Sequence, residues 1–160
     1  MRNRKKQDYF TDDANAPAPL EFTVRHRVYF NETDALGIVW HGNYAVFFEQ
    51  AITELAHSIG LSVTALKDAG LATPLAQLHI DYGAPLYIDE TVDVTVRLHW
   101  SDGPLLNYDL KAVKPDGTLV CTGYEVQVFM DLQNRQALWY SPDIWENCKK
   151  RWAAGEFYHG

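Results

Sequence analysis

The sequence predicts an α+β fold in which one antiparallel sheet wraps a single long helix. Three observations carry this. Residues 44–59 repeat apolar side chains at helical spacing. Five other stretches alternate apolar and polar residues with period two. Tight-turn signals join most of those stretches, so neighbouring strands run antiparallel.

The elements follow in order. Residues 1–20, MRNRKKQDYFTDDANAPAPL, are basic, then polar and proline-containing, and are expected to form a disordered tail. They hold no apolar core of a secretory signal. In the first strand Phe22, Val24, His26, Val28 and Phe30 share a face. A turn-rich link over residues 31–42 leads to the helix, whose apolar stripe is Tyr44, Phe47, Phe48, Ala51, Ile52, Leu55, Ala56 and Ile59. Asn43 is the expected N-cap and Gly60 the expected C′ residue. A short helix over residues 62–69 should stop at Gly70. Strands then follow around Leu78–Tyr82, Val92–Trp100, Leu106–Ala112 and Val120–Val128, the last with Val120, Thr122, Tyr124, Val126 and Val128 on one face. Ser101–Pro104 and Lys114–Gly117 are the turns between them, and residues 142–152 suit a terminal helix. The expected organisation is a tail over 1–20, a domain over 21–140, and a C-terminal helix and tail over 141–160.

The chain has 160 residues, 47% hydrophobic, with a net charge of −7. One domain with a real core is expected. The acidic balance argues against a nucleic-acid binder with a broad basic face. No stretch approaches the roughly 18 apolar residues of a membrane span. Cys121 and Cys148 show no metal or redox spacing, so a reduced, cytoplasmic chain is expected. The histidines show no metal-ligand spacing, and no nucleophile elbow, P-loop or dinucleotide fingerprint occurs. No metal or cofactor is expected.

The stretch NETDALGIVWHGNY, residues 31–44, concentrates the chemistry. Asp34 has two readings. It closes a turn, as Asp often does. Alternatively it is a carboxylate beside a helix N-terminus, whose unpaired N–H groups hold a developing oxyanion. His41 orients a substrate or makes a local hydrogen bond. Gly37 and Gly42 admit a ligand or serve turns. Glu49 faces a channel or solvent.

The run VYFNETDALGIVWHGNYAVFFEQAITE resembles the signature of the hotdog-fold acyl-CoA thioesterases of the 4-hydroxybenzoyl-CoA thioesterase family. The matching positions are Thr33, Asp34, Gly37, Ile38, Val39, Trp40, His41, Tyr44, Phe48 and Glu49. A weaker match follows at Asp81, Tyr82 and Pro85, and the resemblance spans about residues 21–130. It is also similar to the Tol–Pal-associated branch, although Glu49-Gln50-Ala51-Ile52 stands where that branch has Glu-x-Ala-Arg.

The resemblance implies a hotdog fold and hydrolysis of an acyl-CoA, either aromatic or short-to-medium aliphatic. It implies a homodimer with a ten-stranded sheet, or a dimer of such dimers, with sites at the interface. Asp34 would be the catalytic nucleophile or general base, and the His41 N–H would polarise the carbonyl. Gly37, Trp40, Tyr44 and Glu49 would border the substrate. Coenzyme A is then substrate rather than cofactor, and an acyl carrier protein is a possible partner. Arg97, Lys111 and Lys114 are candidates for its phosphates as the basic residues of the strand region. The alternative is a non-catalytic module that binds acyl-CoA or acyl carrier protein.

Overall fold

The computed structural model describes residues 9–11 and 13–158. Its elements, in chain order, are β1 (Leu20–Arg27), α1 (Asn43–Ser58), α2 (Val63–Asp68), β2 (Leu71–Ala72), β3 (Leu75–Tyr82), β4 (Thr91–His99), β5 (Leu105–Val113), β6 (Leu119–Val128), β7 (Met130–Asp131) and α3 (Asp143–Ala153). The main sheet has the order β1-β4-β5-β6-β3, antiparallel at every pairing. The two-residue strands β2 and β7 pair separately. They are too short to leave a periodic signal in the sequence.

The sheet curls around α1. Tyr44, Phe47, Phe48, Ala51, Ile52 and Leu55 are buried along that helix. They meet Val92, Val94, Val96 and Leu98 of β4 and Leu106, Tyr108, Leu110 and Ala112 of β5 in one core. Burying each large apolar side chain is worth about 1.5–3 kcal/mol, so this seam fixes the helix on the sheet. Trp145, Cys148 and Trp152 of α3 join the same core. Burial pushes the thiol pKa of Cys121 up to about 12 and that of Cys148 up to about 11, and both cysteines are free.

One expectation is corrected. Gly42, not Asn43, stands at the N-cap of α1, and Asn43 is the first helical residue. Its side chain is engaged elsewhere, donating from Nδ2 to the Glu32 carbonyl at 2.8 Å. In β6 the alternation expected from the sequence is present, and the structure shows which face turns inward. Val120, Cys121, Gly123, Glu125 and Gln127 are the buried positions, while Thr122, Tyr124, Val126 and Val128 are only half-buried. The apolar alternation of β6 therefore lies mostly on the sheet face away from α1.

That outer face is partly covered. Within the stretch expected as a tail, Tyr9 donates to Asp81 Oδ2 at 2.7 Å and packs against Tyr124, and Phe10 lies against His99 and Tyr124. Residues 1–8 and Asp12 lie outside the described residues. Among the described residues no helix is long and apolar enough to cross a membrane.

Candidate active site

The chain leaves β1 pinned to the segment before β4, for the Val28 N–H donates to Glu90 O at 2.9 Å and the Asp89 N–H to Val28 O at 3.1 Å. A 3-10 turn over Phe30–Glu32 follows. Glu32 then organises the link. Its carboxylate accepts the Tyr29 N–H at 2.8 Å and lies 2.8 Å from His26 Nε2. Its carbonyl accepts the Trp40 N–H at 3.0 Å and Asn43 Nδ2 at 2.8 Å. One residue thus ties β1, the link and the head of α1 together.

Between those ties the chain makes a small closed loop. Thr33 pairs with Val39, and Ile38 with Tyr87. Asp34 donates its N–H to Ile38 O at 2.9 Å, and its carbonyl accepts the Gly37 N–H at 3.0 Å. Its Oδ1 accepts the Leu36 N–H at 2.8 Å, an Asx turn that fixes the carboxylate. Gly37 sits at φ +74, where a side chain would be strained. Asp34 thus builds its turn, and it is solvent-exposed.

His41 is exposed, and its ring lies 4.9 Å from that of Trp40. Its carbonyl accepts the Tyr82 hydroxyl at 3.0 Å. Among the described residues its N–H makes no hydrogen bond. The helix behind it has no side-chain cap. The head of α1 therefore keeps donor capacity and the positive end of its dipole for something else. Gly42 has an ordinary φ of −71. Its role is steric, because a Cβ there would run into the Trp40 indole. Tyr44 is buried between Phe47 and Tyr82, and burial, first of all, raises its pKa. It anchors the head of α1.

Glu49 lies farther along α1. It lines a cavity of about 620 Å³ together with Tyr108, Glu125 and Gln127, and burial raises its pKa. Glu49 is also exposed to solvent, so the position meets the solvent reading as well as the channel reading. Nothing in the sequence singled out the other three as site residues: Tyr108 lies in the apolar alternation of β5, and alternation in β6 does not tell which of its faces turns inward.

The three basic candidates do not converge. Arg97 forms a bidentate pair with Asp109 at 3.0 and 2.6 Å. Lys111 is exposed on the same outer face, opposite Thr95 and Thr122 in register. Lys114 bonds Glu90 at 2.8 Å and lies over the Tyr87 ring. Of the three, only Lys114 is near the Asp34 loop, through Tyr87 and its pairing with Ile38. Among the described residues no cluster of His, Cys, Asp and Glu could hold a metal.

Residues 28–148 match the thioesterase-like superfamily, a span that includes the closed loop, α1 and the whole sheet beyond β1. The chain belongs to the thioesterase-like superfamily. A relative from Aquifex aeolicus is 39% identical over 79 residues, 49% of this chain and 62% of the relative. The acyl-CoA thioester hydrolase YbgC of Escherichia coli O6:H1 is 30% identical over 94 residues, 59% of this chain and 70% of YbgC. The chain thus spans less than two thirds of the Aquifex protein's length. Among solved structures, the 1,4-dihydroxy-2-naphthoyl-CoA thioesterase Slr0204 of Synechocystis superposes with a TM-score of 0.72 at 21% identity, over 81% of this chain and 96% of that one. At that identity the likeness speaks for the fold, which is the hotdog fold of the thioesterase-like superfamily.

Proposed function

We propose that the chain is a thioester hydrolase that cleaves acyl-CoA to the free acid and CoA, with Asp34 as the reacting carboxylate. The observation that carries this is an exposed carboxylate, locked by its own Asx turn, in the loop that leads to an uncapped helix head with an open His41 N–H. Family membership and the name of the YbgC relative support the activity.

The thioester carbonyl accepts the His41 N–H, and the positive end of α1 stabilises the oxyanion as charge develops. Asp34 either takes a proton from attacking water or attacks the carbonyl itself to give a mixed anhydride. In both routes CoA leaves as the thiolate. The general base delivers the water oxygen to the product acid, whereas an anhydride hydrolysed at the Asp34 carbonyl releases the acid with an Asp34 oxygen and leaves the water oxygen in Asp34. A single turnover in ¹⁸O water separates them. Label in the Asp34 carboxylate marks the anhydride route, and label only in the product acid marks the general base.

The edge of the main sheet supports a dimer. β3 pairs with β6 on one side only, and Leu75, Leu78 and Tyr82 are exposed along it. An uncovered edge of this length invites a second strand. We expect two β3 strands to pair, joining two sheets into one of ten strands, and sedimentation to give twice the 18.3 kDa chain mass.

The deciding experiment measures thiol release from aliphatic and aromatic acyl-CoAs and from acyl carrier protein thioesters. Asp34→Asn should lower kcat by about 10²- to 10⁴-fold while the fold and dimer persist. Equal turnover by the variant would remove Asp34 from the reaction. Saturable acyl-CoA binding without any thiol release would leave a binding module instead.

A further inference from the structure

Trp40, His41, Gly42 and Asn43 form the turn that opens α1. The Asn43 N–H donates to the Trp40 carbonyl at 2.9 Å, and Gly42 lies at φ −71 and ψ −19. Such angles belong to the third residue of a type I turn, about −90° and 0°. A type II turn closes with the same hydrogen bond. Its central peptide is turned over, however, and its third residue needs a φ of about +80°. Here the central peptide is His41–Gly42, and glycine takes either sign of φ readily. Packing requires that glycine, because a Cβ at Gly42 would run into the Trp40 indole. The turn therefore carries a residue that leaves its central peptide free to flip. The bonds at its ends do not oppose this. The Trp40 N–H and Asn43 Nδ2 both reach the Glu32 carbonyl, and neither belongs to that peptide.

One contact does oppose it. The hydroxyl of Tyr82, the last residue of β3, donates to the His41 carbonyl at 3.0 Å. Among the described residues this is the one hydrogen bond to the His41–Gly42 peptide. A phenol donates better than it accepts, so it favours the carbonyl over the N–H that a flip would turn towards it. In the observed orientation the N–H groups of His41 and Gly42 both lack a partner among the described residues. Successive N–H groups of helical backbone point the same way, here out of the positive end of α1. A flip would turn the Gly42 N–H away from its neighbour. We propose that Tyr82 is a positioning residue: its hydroxyl holds the His41–Gly42 peptide unflipped and keeps the Gly42 N–H beside that of His41 as a second donor to the thioester carbonyl. The proposal rests on the thioesterase reading above and adds a residue to it. Tyr82 is itself held, for its ring meets that of Tyr44 edge-on at 5.6 Å, and β3 pairs it with Cys121. Burial, and after it Cys121, raises its pKa, so the phenol keeps the proton it donates. Tyr82 is 49% exposed, so this bond contributes little to stability and its loss should appear in the rate.

Tyr82→Phe keeps the ring against Tyr44 and removes only the hydroxyl. Its effect is read first in the ligand-free protein by NMR. In wild type a strong NOE should join the His41 and Gly42 amide protons, as in a type I turn. In the variant it should weaken, and one from the His41 Hα to the Gly42 N–H should replace it. Kinetics then use whichever of hexanoyl-, decanoyl- and benzoyl-CoA wild type cleaves fastest. Tyr82→Phe should lower kcat about 10- to 100-fold and move KM less than about twofold. A side chain at position 42 disfavours the flipped turn by about tenfold, and in a Trp40→Ala background the indole no longer bars it. In that background Gly42→Ala should recover about tenfold of the kcat lost to Tyr82→Phe. A loss of stability alone would show no such rescue. Unchanged NOEs in Tyr82→Phe, an unchanged kcat, or a loss that Gly42→Ala leaves in place would overturn the proposal. Should wild type cleave none of the three, the thioesterase reading falls instead. Infrared spectra with ketone analogues of the same acyl-CoAs, carrying CH2 in place of sulfur, then decide the second donor. A carbonyl stretch lowered on binding to wild type and less so in Tyr82→Phe supports it, and an equal stretch or no binding overturns it.

Discussion

Asp34 and Glu32 are two residues apart and do different work. Asp34 stood out in the sequence as a candidate because the residue types around it, at their spacing, resemble a thioesterase signature. Its Asx turn did not, since any Asp before a glycine permits one. Glu32 left no signal at all. Its importance comes from His26, six residues back on β1, and from Asn43, eleven residues ahead, and no short-range pattern links those positions. Removing its carboxylate strands the Tyr29 N–H and frees His26. Glu32→Ala should therefore cost about 1–3 kcal/mol of stability. It should also lower kcat more than it raises KM, because it loosens the loop that aims Asp34. Thermal melting and steady-state kinetics on the same preparation check both. A melting loss with unchanged kcat would confine Glu32 to structure.

Among the elements, β6 shows most clearly what alternation can and cannot settle. Period two was evident and the strand is there, but alternation does not say which face turns inward. The sequence grouped Val120, Val126 and Val128 on one face and left open which way that face turns. The structure turns Cys121, Gly123, Glu125 and Gln127 inward. Register is the reason. β6 lies between β5 and β3, and Gly123 faces Ile80 across the β3 pairing. A Cβ at Gly123 would run into the His79 carbonyl, so β3 approaches β6 closely there. The contrast with Gly37 gives a prediction. Gly37→Ala meets no neighbour and bears only the positive-φ strain, about 1–2 kcal/mol. Gly123→Ala must displace backbone, should cost about 3 kcal/mol or more, and should weaken the dimer proposed through the β3 edge. Denaturant melts and sedimentation on the two variants distinguish these. Equal losses would mean that β3 shifts freely.

On the scale of the whole molecule, the two faces of the sheet carry carboxylates of opposite character. On the outer face, burial of Asp109 acts to raise its pKa, but hydrogen bonds from His99 and Arg97 outweigh it and hold the pKa below the usual carboxylate range. On the inner face burial raises the pKa of Glu125, and on α1 partial burial raises that of Glu49. The linkage signs differ. The stabilisation from Asp109 is complete above the ordinary Asp value, about 4, and is lost as pH falls through its lower folded value. Glu125 and Glu49 add no penalty below the ordinary Glu value, about 4.3, and they destabilise the fold as pH rises through their raised folded values. At neutral pH Asp109→Asn should thus be about 1–3 kcal/mol less stable than wild type, with a deficit that shrinks in acid. Glu125→Gln should gain on wild type as pH rises above about 4.3. Melting temperatures of the three proteins from acid to neutral pH test both slopes. A flat difference for Glu125→Gln would mean that its carboxyl is not desolvated. A rising one identifies a group kept in the interior against its own cost to stability, which is what a carboxyl retained for a ligand should show.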